Sequence, residues 1–365
     1  MSYRRLQAGI AATLFLSTAL LSTSALAAKD TLVMGVALEP PHLDPTAGAA
    51  AAIDEVVYAN VFEGLTRINE NGEILPALAE SWEVSEDGKT YTFKLRSGVK
   101  FHDGTDFDAG DVKFSLDRAR AEDSTNAQKG LFSAIESVEV SDPHTVVVNL
   151  SNPAGSFLFN MGWGDAVIVA PESADTNKEN PVGTGPFKFS SWAKGSAIEI
   201  VRNDAYWGSA VALSKATFRI IPDAAAATNA LLAGDVDAFA NFPAPEALPQ
   251  LEADPRFAVV QGSTEGETIL STNNSKAPFS DIRVRQAIAH TIDRQAIIDG
   301  AMFGQGTPIG THFAPHHPAY KAELIDTYPR DIEKAKTLLA EAGFPEGFKA
   351  TLQLPPPTYA RRGGE

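Results

Sequence analysis

Cysteine is absent from the 365-residue chain. That excludes disulfides, a thiolate nucleophile and the lipid-modified cysteine that tethers many exported bacterial proteins. Positive charge is also short. Thirty Lys+Arg stand against 46 Asp+Glu, a net charge of −16, so a phosphate backbone would be repelled and no nucleic-acid partner is expected. Past residue 28 there is no apolar stretch of about 18 residues, the length a membrane-spanning helix needs. Motif chemistry is sparse as well. The chain contains no G-x-S-x-G elbow, H-E-x-x-H helix, phosphate-binding P-loop or dinucleotide fingerprint. An enzyme is therefore not expected, and no cofactor is called for.

What remains is the composition of a folded protein, 44% hydrophobic with 28 Gly and 23 Pro. Its length suits two or three domains, and collagen-like, coiled-coil and disordered chains are excluded. The start differs from the rest. Arg4 and Arg5 precede an uncharged run, Leu6 to Ala28, that ends in Ala25-Leu-Ala-Ala28. This reads as a secretory leader cleaved after Ala27 or Ala28, and the serines and threonines between Ser17 and Ser24 argue against a permanent anchor. A periplasmic address follows, with a mature chain two units more negative.

Short strands and capped helices then alternate. Thr31–Leu38 reads as a buried strand and Ala49–Glu63 as a helix with Ile53, Val56, Val57 and Val61 near one face. Trp82–Val84, the Asp87-Gly88 turn and Tyr91–Leu95 read as a hairpin. Asp108 caps a helix, and Val138–Val140 with Thr145–Leu150 make a second hairpin. Strands are expected at Ala166–Ala170, Phe187–Phe189, Ile198–Val201, Val236–Phe239 and Thr351–Leu354. Asp223 and Gly234 bracket one helix. Asp281 opens what reads as the longest helix, carrying Ile282, Ala287, Ile288, Ile292 and Ile297. Ile332–Ala342 is the last helix, closed by Gly343.

Few segments offer site chemistry. His102-Asp103-Gly-Thr-Asp106-Phe-Asp108 could make an oxygen-rich cation loop, but turn bonds and helix capping account for its acids. His312, His316 and His317 could ligate Ni²⁺ or Zn²⁺. Two prolines there indicate a loop, so the spacing does not establish a shared direction, and no metal site is assigned. Gly183-Thr-Gly-Pro186 reads as a turn into a sheet rather than an anion nest. Trp163 stands between Gly162 and Gly164 beside Asp165. An aromatic ring and a carboxylate on a glycine-flanked loop suit a polar ligand.

Several blocks in order carry a family resemblance. Ala79-Glu-Ser-Trp82, Val99-Lys-Phe-His-Asp-Gly-Thr105, Phe107-Asp-Ala-Gly-Asp111, Val182-Gly-Thr-Gly-Pro-Phe187, Tyr206-Trp207-Gly208, Phe279-Ser-Asp-Ile-Arg-Val-Arg-Gln-Ala-Ile288 and Lys334–Phe344 together resemble the bacterial family 5 extracellular solute-binding proteins. These are the peptide- and nickel-type receptors of ABC importers. The resemblance implies an α/β chain of the type II periplasmic-binding-protein fold: two lobes with a hinge, plus an extra inserted domain. Residues 29–63 and 183–272 would form lobe I, 64–182 the extra domain, and 273–365 an incomplete lobe II, since family members usually run on past this ending. It further implies a monomer that captures a small solute, foremost a peptide, and docks on an ABC permease in the inner membrane. A sugar derivative, a glutathione-like conjugate and a nickel chelate are the alternatives within the fold. A secreted hydrolase is the rival class. The substrate contacts expected are His42, Leu43 and Gly48 after the first strand, Trp163 and Asp165 in the extra domain, and Asn273 near the crossing between lobes. Small residues from Ala47 to Ala50 are expected to leave room for a ligand larger than one amino acid.

Overall fold

The computed structural model describes residues 29–353 apart from Ser263, Glu265 and Pro318. The leader and the chain end from Leu354 lie outside the described residues. Two sheets organise what is described. The first strand, β1 (Thr31–Val36), is apolar enough to sit inside a sheet. β2 (Thr66–Ile68) and β3 (Ile74–Pro76) form a small antiparallel ribbon. β4 (Ala79–Val84), β5 (Thr90–Leu95), β6 (Ile135–Asp142) and β7 (Thr145–Leu150) form an antiparallel sheet in the order β4-β5-β7-β6. β8 (Phe187–Ala193), β9 (Ala197–Arg202), β10 (Lys215–Ile220) and β11 (Ala238–Phe239) join β1 in a mixed sheet, order β11-β1-β10-β9-β8. There β1 runs parallel to both β10 and β11.

Alternation builds the four-stranded sheet. Tyr91, Phe93 and Leu95 are buried, as are Val146, Val148 and Leu150 on the neighbouring strand. Helix α2 (Ala109–Arg120) covers that apolar face with Val112, Leu116 and Ala119. Its start is a reciprocal cap: Asp108 accepts from the Gly110 N–H at 2.6 Å, and Asp111 accepts from the Asp108 N–H at 2.8 Å. The mixed sheet packs on α1 (Ala51–Val57), which buries Ala52, Ile53, Val56 and Val57. Helices α3 (Phe157–Asn160), α4 (Ala224–Ala233) and α5 (Leu248–Glu252) follow. Beyond them lie α6 (Ile282–Thr291), α7 (Arg294–Ala301) and α8 (Ile332–Glu341). Among the described residues no helix is long and apolar enough to cross a membrane.

Four readings need correction. The helix expected over Ala49–Glu63 stops at Val57, because the backbone turns left-handed at Ala59 (φ 57°). The long helix expected from Asp281 is two helices. Thr291 donates to the Ile288 carbonyl at 2.7 Å, Ile292 is extended, and Asp293 caps α7 through the Ala296 N–H at 3.0 Å. Ala166–Ala170 is no ladder strand. After a 3₁₀ turn, Gly164–Ala166, its backbone is satisfied by the Glu63 carbonyl and by the Ser115 hydroxyl. Thr351–Gln353 carries no strand either.

Candidate functional site

The segment after β1 descends to Asp44, which caps a 3₁₀ turn, Pro45–Ala47. One oxygen of Asp44 accepts from the Thr46 N–H at 2.9 Å and from the Thr46 hydroxyl at 2.6 Å. Arg118, in the last turn of α2, donates to Thr46 Oγ1 at 2.6 Å and lies 3.5 Å from Asp44 Oδ2. The capped turn is thereby tied to the extra sheet's helix. Between them opens a cavity of about 350 Å³, lined among others by Thr46, Ser115, Arg118, Ser124, Phe132 and Asp165. That volume is at the lower end of small-molecule sites. Its walls carry both signs of charge.

Asp165 belongs to the 3₁₀ turn Gly164–Ala166, held by a 2.9 Å bond from the Asn126 amide to its own carbonyl. The residue is 8% exposed, and its Oδ1 has no hydrogen-bond partner. Burial pushes its carboxyl up to about 6. Behind it, in α1, Asp54 is raised to about 6, first by burial and then by the charge of Asp165. Asp54 Oδ1 is likewise buried and unpartnered. A Cβ on Gly164 would lie 2.4 Å from that oxygen, so only glycine lets this backbone pass the carboxylate. Four residues on, just past the end of α1, Tyr58 donates a short hydrogen bond to the Gly162 carbonyl, and burial raises its phenol. Two neighbouring under-satisfied acids, one of them lining a cavity, are a costly arrangement for structure alone.

The family model for bacterial extracellular solute-binding proteins, family 5 Middle, matches residues 73–363. This chain belongs to family 5. Its members bind solutes and are not enzymes, and their type II periplasmic-binding-protein fold is the fold seen here. Heme-binding protein A of Haemophilus influenzae is 36% identical over 310 residues, which are 78% of this chain and 56% of that relative. Glutathione-binding protein GsiB of Salmonella paratyphi A is 33% identical over 347 residues, 93% of this chain and 67% of the relative. Among solved structures, the periplasmic binding protein DppA of Helicobacter pylori, in complex with the peptide STSA, superposes with a TM-score of 0.79. It is 31% identical and covers 87% of this chain and 67% of its own. The family 5 chain described here thus spans between about half and two thirds of these relatives.

Of the six contacts expected in this family 5 chain, Asp165 lines the cavity. Trp163, two residues away, is 40% exposed and meets Phe159 edge-on at 6.3 Å. Leu43 is wholly buried in the core of the mixed sheet, and its N–H donates to the Lys178 carbonyl at 2.9 Å. His42 is half-buried and accepts from the Asp44 N–H at 3.3 Å. The space expected at Gly48 is filled: a Cβ there would lie 2.7 Å from His42 Nε2 and 3.1 Å from Ile53 Cδ1. Asn273 is exposed and accepts from the Ser275 N–H and hydroxyl, a local turn. Sequence reasoning missed Asp54, Arg118 and Thr46. Asp54 sits among apolar helix residues, and Arg118 reads as an ordinary basic residue near a helix C-terminus.

The other polar runs serve the scaffold. His102 Nε2 bonds the Gly185 carbonyl at 2.9 Å, its Nδ1 accepts from the Gly183 N–H at 3.3 Å, and burial lowers it to about 4. Gly183–Pro186 is thereby committed as a turn. A second cavity, about 410 Å³, surrounds Glu63. Glu63 already accepts from Thr184 and Tyr206 at 2.8 Å and from Trp207 at 2.9 Å, while Arg96 stacks over Trp207. That carboxylate ties the two sheets' segments together. His312 pairs with Glu267, and Phe313 stacks on His317. Among the described residues no group of three or more His, Asp or Glu is arranged to hold a metal ion.

Proposed function

We propose that the protein is a periplasmic receptor that captures a di- or oligopeptide-class solute and delivers it to an ABC permease in the inner membrane. The observation that carries this reading is the cavity beneath the Asp44 turn, which sets the Asp165 carboxylate and the Arg118 guanidinium on its walls. A peptide brings an ammonium and a carboxylate of its own, and each would find its opposite there. Trp163 would stack on an apolar or planar part of the solute, with His42 and Asn273 at the edges of the site. Residues 29–63 and 183–272 would act as lobe I, 64–182 as the extra domain and 273–365 as part of lobe II. In support, β1 shares a sheet with β8–β11, while β4–β7 form their own. Solute contacts made only in the closed form would shift the hinge equilibrium. Micromolar capture needs about 8 kcal/mol. The protein would act as a monomer, exported by a leader cut after Ala27 or Ala28.

A glutathione-like conjugate is the second reading, favoured by the match to GsiB over 93% of this chain. Native mass spectrometry of the full-length protein, purified from the periplasm without refolding, tests both. A retained mass that fragments as a peptide supports the first reading, and a γ-glutamyl thiol supports the second. A retained sugar or metal chelate, or no retained mass together with no heat on titrating di- and tripeptides, overturns the peptide assignment.

A further inference from the structure

We propose that Asp165 is the docking carboxylate for an ammonium group, that this docking releases a proton, and that Asp54 behind it deepens the coupling. The inference rests on the reading of the 350 Å³ cavity as the solute site. Asp165 is nine-tenths buried, lines that cavity, and leaves Oδ1 without a donor. Asp54 leaves its own Oδ1 without one, against the backbone of Gly164. The buried Asp165 and the half-buried Asp54 lie within electrostatic reach and cannot both ionise cheaply, and both are raised to about 6.

The surrounding charges do not relieve them. From α2, Arg118 is engaged with Thr46 and Asp44. Asp123, also at the cavity, adds negative charge. Just past α1, Tyr58 is neutral and spends its proton on the Gly162 carbonyl. Asn126 contributes only its amide to the Asp165 carbonyl. An incoming ammonium therefore supplies both the missing donor and the missing counter-charge. Its arrival favours the ionised pair, so the proton held there leaves to solvent. Below about pH 6 the cation must displace that proton, and affinity falls by up to about tenfold per pH unit. Above it, affinity is flat.

The test uses the full-length protein with ¹³C-carboxyl-labelled aspartate and n-butylammonium chloride as probe, with sodium chloride at equal ionic strength as control. NMR titration should show one step well above the ordinary carboxylate range, moved downward by butylammonium and unmoved by sodium. Asp165→Asn should weaken the probe about 10- to 100-fold. Asp54→Asn should keep a weaker probe site with a shallower pH dependence, since burial alone still raises Asp165. Ordinary carboxyl titrations in the wild type, or equal shifts from sodium and butylammonium, overturn the proposal, and neither needs a variant to fold. If native mass spectrometry finds a retained solute that lacks an amino group, this inference fails while the receptor reading stands. If no solute binds but butylammonium still moves the step, the reverse holds.

Discussion

Gly164 is where the acid pair and the backbone compete for one space. A Cβ there would meet Asp54 Oδ1 at 2.4 Å and Cγ at 2.7 Å, closer than either can stay without moving. Gly164→Ala is expected to cost about 1–3 kcal/mol, as overpacking does, read from urea unfolding. In an Asp54→Ala background the same change should cost less than half as much, because the clash partner is gone. Equal costs in the two backgrounds would show that the glycine serves something else. The glycines around Trp163 mark this loop as a site in the sequence, but for a different physical reason. The loop is fixed by Asn126 and by Tyr58, residues 39 and 104 positions distant from their partners, and its glycine is there for a close approach. Asp165 was legible because its neighbours are local. Asp54 and Arg118 were not, since only the tertiary fold brings them to it.

Helix ends were the most legible elements, because a cap is a contact within a few residues. Asp108, Asp223, Asp281 and Asp331 all accept a backbone N–H at the helix starts read from sequence. The failure at Asp293 has the same origin. An apolar count over Ile288, Ile292 and Ile297 bridges a break that the cap at Asp293 imposes, and Ile297 proves to be 41% exposed. Replacing Asp293 with Ala should remove the bond to the Ala296 N–H and cost about 1 kcal/mol. Because α7 buries no residue, hydrogen exchange should quicken in Arg294–Ala301 and stay unchanged in α6. If α6 loosened equally, the two would be one cooperative helix after all. Sheet order was illegible for the converse reason. β1 pairs with β10 and β11, roughly 180 to 200 residues downstream, and no local pattern encodes which strand takes its edge.

Over the whole molecule, buried titratable groups set how stability varies with pH. Asp54, Asp111 and Asp165 are each raised from 3.8 to about 6. The folded state therefore binds their protons more tightly than the unfolded chain, and their contribution is lost as pH rises through about 6. His102, lowered from 6.5 to about 4, works the other way, and stability is lost as pH falls through that window. Glu63, raised by burial, acts with the three, while Asp281, held at about 2 by Arg283, acts with His102. The net charge of −16 acts with the three, since self-repulsion eases on acidification. Melting temperature should then rise as pH drops from about 7 toward about 4, with His102 offsetting part of that gain between about 6.5 and about 4. Asp54→Asn should flatten the upper part of that curve, as one of the three raised carboxyls no longer titrates. A melting temperature that climbs steadily from pH 5 to pH 7 would show that these carboxyls are ionised at little cost. The acid pair would then be hydrated, and its oxygens would not be waiting for a cation.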